Sequence, residues 1–166
     1  MTFTIRRATT ADLPAIQAIY AHHVLTGTGT FEIEPPDESD LAARMANIAA
    51  RGWPWLVCVD DACNVKGYAY AGPFRERAAY DGTVEDSIYL AQGAIGQGIG
   101  RALLTALIDA CRASGAKEML AVIGDSNNSA SIGLHKALGF WDVGTLRGVG
   151  VKFGRTLDVV MLQKSL

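Results

Sequence analysis

Residues 95–107 read IGQGIGRALLTAL, with Gly96, Gly98 and Gly100 standing directly ahead of an amphipathic run. The spacing is GxGxG, which fits neither the dinucleotide fingerprint GxGxxG nor the phosphate loop GxxxxGK[ST]. Glycines placed this way let the chain turn tightly with bare amides, and the helix behind them adds unpaired N–H groups and the positive end of its dipole. Such a nest suits an anion, above all a diphosphate. A plain strand-to-helix turn would use the same glycines, and the short pattern alone does not separate the two.

Other stretches carry side chains that react or bind. In VEDSIYL, period-two alternation puts Glu85, Ser87 and Tyr89 on one strand face and Val84, Asp86, Ile88 and Leu90 on the other, so both faces hold a carboxylate. Asp86 is read as the partner of a core or interface cation, without a further role. His135 has an ordinary pKa near neutrality, suited to proton relay, and equally to a structural place in a helix. FRERAAY offers Arg75 and Arg77, whose guanidinium forks bond carboxylates bidentately, or else a charged solvent-exposed loop. His22 and His23 are read as structural or substrate-side residues. Cys58, Cys63 and Cys111 are odd in number and lack CxxC spacing, which points to reduced thiols rather than a disulfide framework or zinc site.

These residues need a scaffold. Alternation over Phe3 to Arg7 predicts a strand, after which Thr9 or Thr10 caps a helix with Leu13, Ile16, Ile19 and Tyr20 at helical spacing. TGTGTFEIEPPDES is a loop, and Asp40 to Ala50 a second helix. WLVCVDD, NVKGYAYAG and VEDSIYL read as strands of an antiparallel meander. A helix from about Gly98 to Ser114, a strand Met119 to Ile123 and a helix from about Asn128 to Leu138 follow. Phe140 to Leu146 and Asp158 to Lys164 close the chain as strands. The fold class is α/β, with a mixed sheet covered by helices.

At 166 residues the chain fits one domain, spanning 1–166, that buries its own core. With 15 Lys plus Arg against 17 Asp plus Glu, it shows no basic footprint for nucleic acid. MTFTIRRATTADL lacks a secretory apolar stretch, and no segment approaches the roughly 18 apolar residues of a membrane span. A cytoplasmic protein is expected.

The stretch VEDSIYLAQGAIGQGIGRALLTALIDACRASGAKEMLAVIGDSNNSASIGLHKALGF resembles the acyl-CoA-binding core of the GNAT superfamily of N-acetyltransferases, in the order strand, turn, helix, strand, helix. More narrowly, TFEIEPP, AGPFRERAAY, AVIGDSNNSASIGLHKALGF and GVGVKFGRTLDVV resemble its phosphinothricin and methionine sulfoximine acetyltransferase branch. The resemblance implies a GNAT-like, mostly antiparallel central sheet flanked by helices, acetyl-CoA as co-substrate, direct transfer without a metal, and a homodimer. The implied acceptor is the α-amine of a small amino-acid-like molecule.

The superfamily turn has the form [QR]xxGx[GA]. Gly98 and Gly100 match it, whereas Ile95 replaces the leading Gln or Arg. The resemblance places the co-substrate against Ile95, Gly96, Gln97, Gly98, Ile99, Gly100 and Arg101, with Arg101 either compensating for Ile95 or merely exposed on its helix. Asn128 matches a residue that bonds the pantetheine arm, and is also a favoured N-cap type. Glu85 matches the branch's general base, acting through water, and the Leu90 amide an oxyanion donor. His135 matches a residue able to protonate the leaving thiolate. Arg75, Arg77 and Tyr80 match the acceptor-binding segment, with Thr30, Phe31 and Glu32 as a second wall and Lys152 facing the same site. The branch often has GxWxD before the last strand, where this chain has Thr156, a change that reshapes the pocket or a subunit edge. Competing readings are a non-catalytic acyl-CoA-binding regulatory module, an acetyltransferase for a protein N-terminus or other amine, and a nucleotide-phosphate-binding domain.

Overall fold

The buried runs of the sequence assemble on the two faces of one sheet. The computed structural model describes residues 2–166. Its strands are β1 Phe3–Arg7, β2 Trp55–Asp60, β3 Val65–Pro73, β4 Thr83–Leu90, β5 Glu118–Gly124, β6 Trp141–Lys152 and β7 Arg155–Ser165; its helices are α1 Leu13–Thr26, α2 Glu38–Ala50, α3 Ile99–Ala113 and α4 Ser129–Ala137. The sheet order is β1-β2-β3-β4-β5-β7-β6, with every neighbour antiparallel except β4 and β5. The mixed, mostly antiparallel sheet flanked by helices is therefore present.

Helix α3 sits on one face, burying Leu103, Leu104, Leu107 and Cys111 against Ala69, Val84, Met119 and Leu162. On the other face, Ile16, Tyr20 and Val24 of α1 and Leu41 of α2 close over Val57, Tyr68 and Val59. Burying side chains of this size contributes about 1.5–3 kcal/mol each, which makes the sheet a stiff base for whatever its edges carry.

Local chemistry sets the ends. Thr9 is the N-cap of a single 3-10 turn, Thr10–Asp12, that precedes α1. Asp12 accepts from the Thr9 amide at 2.8 Å and pairs with Arg6 at 2.7 Å. The Arg6 contact outweighs burial and holds the Asp12 carboxyl down at about 2. Asp37 caps α2, its carboxylate accepting from the Asp40 amide at 2.9 Å.

The final hairpin departs from expectation. Strand β6 continues past Leu146 to Lys152, and β7 starts at Arg155 rather than Asp158. Gly148 and Gly150 look like strand breakers in sequence, but pairing with β7 resumes at Gly150↔Leu157 after an irregularity. A side chain at Gly150 would come within 2.2 Å of the Phe31 ring, so that glycine admits the ring instead of ending the strand.

Candidate active site

The parallel ladder between β4 and β5 runs only from Thr83↔Glu118 to Asp86↔Ala121. Beyond it β4 stays with β3 as far as Gly67↔Leu90, while β5 stays with β7 as far as Gly124↔Val159. The two strands part, and a cavity of about 410 Å³ opens between them. In an antiparallel ladder, alternate residues turn their backbone groups to opposite sides. The Ala91 amide donates to the Lys66 carbonyl on the β3 side, so the Leu90 N–H and C=O face the gap. The Leu90 carbonyl accepts from His23 Nε2 at 2.8 Å, and His23 itself lines the cavity. Burial pulls the pKa of His23 below its ordinary value, against an opposing pull from the Leu90 carbonyl.

At the wide end of the cavity lies the glycine turn. Gly96 and Gly98 have φ of 80° and 79°, in the left-handed region, and Gly98 is the N-cap of α3. Open space surrounds the missing Cβ of each, so it is conformation and not close packing that calls for glycine. The first-turn amides of α3 face the same space, the arrangement that favours an anion. Ile95, Gly96, Gly98, Gly100 and Arg101 line the cavity. Two expected co-substrate residues are placed otherwise. The Gln97 amide folds back to donate to the Gly93 carbonyl at 2.7 Å, and the Ile99 side chain is 2 % exposed in the core, leaving only its backbone available.

Helix α4 forms a third wall. Asn128 caps it, accepting from the Ser131 amide at 3.2 Å, and also lines the cavity, so both expected settings coincide. His135 is buried. Its Nδ1 donates to the Ser131 carbonyl at 2.7 Å and its Nε2 to Asp86 Oδ2 at 3.0 Å. Burial lowers its pKa, but the hydrogen bond and charge of Asp86 together with the Ser131 carbonyl reverse this, leaving the pKa raised. The cation expected opposite Asp86 is thus His135. With both nitrogens committed, the ring hands over a proton only by breaking one of these bonds.

Glu85 points to the other face of β4, opposite Gly72. A Cβ on Gly72 would meet nothing within 4 Å, so space lies beside the carboxyl. Burial, then the charge of Asp86, push the Glu85 pKa up to about 7, against an opposing pull from Arg75. Arg75 stacks over Phe74 at 5.0 Å, and Tyr80 meets the same ring edge-on at 5.8 Å. Arg75, Arg77 and Tyr80 are all exposed, and none of them lines the cavity between β4 and β5.

The wall from Thr30 to Glu32 is braced from several sides. Tyr20 donates to Glu32 at 2.9 Å, and Arg44 bonds both Glu32 oxygens at 2.6 and 3.2 Å. Phe31 wedges its ring between Gly124 and Gly150. Lys152, expected to face the acceptor, is 2 % exposed and donates to the Thr30 carbonyl at 2.8 Å, so it supports the wall from beneath. Thr156, where the branch often has Trp, is exposed on the β6–β7 hairpin and pairs with Val151, between Gly150 and Lys152, the two hairpin residues that meet this wall.

Sequence reasoning missed the Asp86–His135 pair, the Arg44–Glu32 pair and the His23–Leu90 bond. The partners are 49, 12 and 67 residues apart, and no local pattern announces them. Among the described residues, no three His, Cys, Asp or Glu side chains converge as metal ligands, and no helix is long and apolar enough to cross a membrane.

Comparison with known proteins agrees with this geometry. The profile of the acetyltransferase (GNAT) domain matches residues 5–161. The chain is 50% identical over 163 residues to a phosphinothricin N-acetyltransferase of Alcaligenes faecalis, covering 98% of this chain and 82% of that protein. It is 43% identical over 166 residues to an L-methionine sulfoximine/L-methionine sulfone acetyltransferase of Pseudomonas aeruginosa, covering 100% and 96%. A crystal structure of a GNAT superfamily phosphinothricin acetyltransferase from Sinorhizobium meliloti in complex with AcCoA superposes with a TM-score of 0.96 at 46% identity, covering 100% of this chain and 89% of the other.

Proposed function

The chain belongs to the acetyltransferase (GNAT) family, and from that premise we propose that it acetylates the α-amine of a small amino-acid-like acceptor of the phosphinothricin, methionine sulfoximine or methionine sulfone type. It is an N-acetyltransferase with acetyl-CoA as co-substrate. The observation that supports the residue roles is the parting of β4 from β5 beside a carboxyl whose pKa burial pushes up to about 7, and the acceptor class is supported by the relatives the chain resembles.

In this reading the amides of the turn from Gly96 to Arg101 take the pyrophosphate, and the co-substrate arm lies along the gap-facing edge of β4, where Asn128 meets it from α4. The acceptor approaches from the Gly72 side, between the rim of Arg75, Arg77 and Tyr80 and the wall of Thr30, Phe31 and Glu32. An α-amine arrives mostly protonated. Glu85 takes that proton through water, a task favoured by a pKa close to the working pH. The free amine then attacks the thioester carbon, and the new C–N bond forms as the oxygen takes up negative charge. The Leu90 amide stabilises that oxyanion. The C–S bond breaks, and the thiolate leaves against the wall that His135 holds, taking its proton from solvent or from the ammonium formed in the attack.

Residues 1–166 act as one domain. A second copy of the chain covers β6, which exposes Trp141, Val143, Leu146, Val149 and Val151 at 47 to 69% along an unpaired sheet edge. The protein works in the cytoplasm, where its three unpaired cysteines stay reduced.

Thiol release from acetyl-CoA, followed across phosphinothricin, methionine sulfoximine, methionine sulfone, other amino acids and short peptides, tests the acceptor. The expected result is fastest release with the first three. Equal or faster release with peptides overturns the acceptor assignment.

A further inference from the structure

The vertex of the cleft holds two buried ionisable side chains that the transfer steps leave unused. Asp86 occupies the last rung of the β4–β5 ladder, and the side chains of Asp86 and His135 are each 2% exposed. Enclosing a pair of charges is tolerated only where their geometry is good and their remaining polar atoms are satisfied. His135 meets that condition. Each nitrogen has an acceptor, and Phe140 stands edge-on to the ring at 5.0 Å. Asp86 does not. Its Oδ1 is enclosed and has no hydrogen-bond partner among the described residues, although both Asp86 and His135 line the cleft. An enclosed acceptor without a donor costs stability, so the pair is held at the vertex at a cost that packing alone does not call for.

No neighbouring side chain among the described residues supplies that donor. Glu85, next in the chain, points to the opposite face of β4. Cys111 of α3 makes no hydrogen bond to Oδ1, and its thiol is pushed up to about 12, by burial first and then by the charge of Asp86. The ladder partner from β5 is Ala121, which has no polar side chain. Helix α4 is nine residues long, with Ile132 and Leu134 only partly buried; the buried Asp86–His135 bond ties it to β4, and the exposed Lys136–Asp142 pair at 2.8 Å ties it to β6.

We propose that Asp86 is a positioning residue for the co-substrate: it seats His135, and with it α4, as a wall of the cleft, while its own Oδ1 stays enclosed without a donor. The inference rests on acetyl-CoA occupying this cleft and is independent of the role given to Glu85.

The test is acetyl-CoA binding measured by calorimetry without acceptor, in the wild type, Asp86→Ala and Asp86→Asn. Asparagine keeps the shape, and its Nδ2 donates to a neutral His135 Nε2. Asp86→Ala should bind acetyl-CoA at least about tenfold more weakly, the loss expected when a buried charged hydrogen bond disappears, and Asp86→Asn should return to within about threefold of wild type. Binding by Asp86→Ala within about twofold of wild type overturns the proposal, as does an asparagine variant as weak as the alanine one. Should Asp86→Ala melt before it can be measured, Asp86→Ser is read by the same criteria. In the same samples, acetyl-CoA should shift the imidazole resonances of His135. Binding that leaves them unmoved overturns the placement in this cleft and the inference with it, whereas failure of the Glu85 assignment would show only in turnover.

Discussion

The two faces of β4 solve two binding problems with different materials. On the cleft side the groups we assign to the co-substrate are mostly backbone: the left-handed glycines Gly96 and Gly98, the first amides of α3, and the gap-facing groups of Leu90. On the Glu85 side the groups we assign to the acceptor are long side chains brought from loops, with Arg75 and Arg77 exposed and Glu32 held by Tyr20 and Arg44. A backbone nest suits a ligand portion that never varies, because main-chain conformation is fixed by the fold. Side chains on loops suit a variable acceptor, since they change without disturbing the sheet. The division teaches that co-substrate affinity and acceptor choice should be separable by mutation.

The largest test strikes the acceptor face. Glu85→Gln keeps the shape but cannot take a proton, so kcat should fall by about 100-fold or more, and the acidic limb near pH 7 should vanish from the kcat/KM profile. The same variant should be the more stable protein at pH 8. Glu85 has a folded-state pKa of about 7, above the ordinary 4.5, so its favourable protonated form is fully present below about 4.5 and lost as pH rises through 7. Above pH 7 the wild type carries a partly buried carboxylate that glutamine removes, a gain of roughly 1–2 kcal/mol after allowing for solvent screening. Urea titrations at pH 5 and pH 8 measure it. An unchanged difference between wild type and variant at the two pH values would falsify the buried-carboxyl account.

The next test strikes the cleft face. Gly98 has φ of 79° with open space around its missing Cβ, so a side chain fits but the backbone conformation becomes strained. For valine that strain is on the order of 1–3 kcal/mol. Relief by rotating the turn would swing the amides away from the pyrophosphate. Gly98→Val should therefore raise the KM for acetyl-CoA by about tenfold and leave the acceptor KM within about twofold. An equal rise in both would end the separation of the faces.

Lys152→Met probes the wall behind the acceptor. Its ammonium is buried against the Thr30 carbonyl, and burial, opposed by the charge of Glu32, lowers its pKa. The variant loses that support, and the acceptor KM should rise by about three- to tenfold while acetyl-CoA binding holds. Steady-state kinetics with each substrate varied in turn distinguish this wall function from a direct contact, which would also discriminate among acceptors by their anionic group.

What the sequence revealed follows the same division. The glycine turn, the helix behind it and VEDSIYL are local patterns, and the structure places the helix at Ile99–Ala113 and the strand at Thr83–Leu90. The Asn128 cap was legible because capping is a short-range preference. The parting of β4 from β5 was not, since it depends on where the ladder stops and each strand keeps its other neighbour. Nor was the direction of Lys152, because a lysine in an exposed hairpin gives no sign that its ammonium turns inward to a carbonyl 122 residues away. Strand β6 is expected to end at Leu146 because Gly148 and Gly150 follow, whereas pairing with β7 carries it on to Lys152.

The smallest expected effect concerns Arg75, which belongs to the acceptor rim yet touches Glu85 only through its field. The charge of Arg75 opposes the upward push on the Glu85 pKa. Removing it with Arg75→Gln should move the acidic limb of the kcat/KM profile to higher pH. Because Arg75 is exposed, the movement should be less than about half a unit and should fade at high salt, where interactions between exposed charges are screened. If the guanidinium also grips the anionic group of the acceptor, the acceptor KM rises as well, and that rise persists with salt to the extent that the contact is a bidentate hydrogen bond. A limb that moves without any change in KM would make Arg75 a tuner of the base alone. Acceptor choice would then fall to Arg77, Tyr80 and the braced wall at Glu32, which narrows the variable part of the site to fewer side chains than the rim suggests.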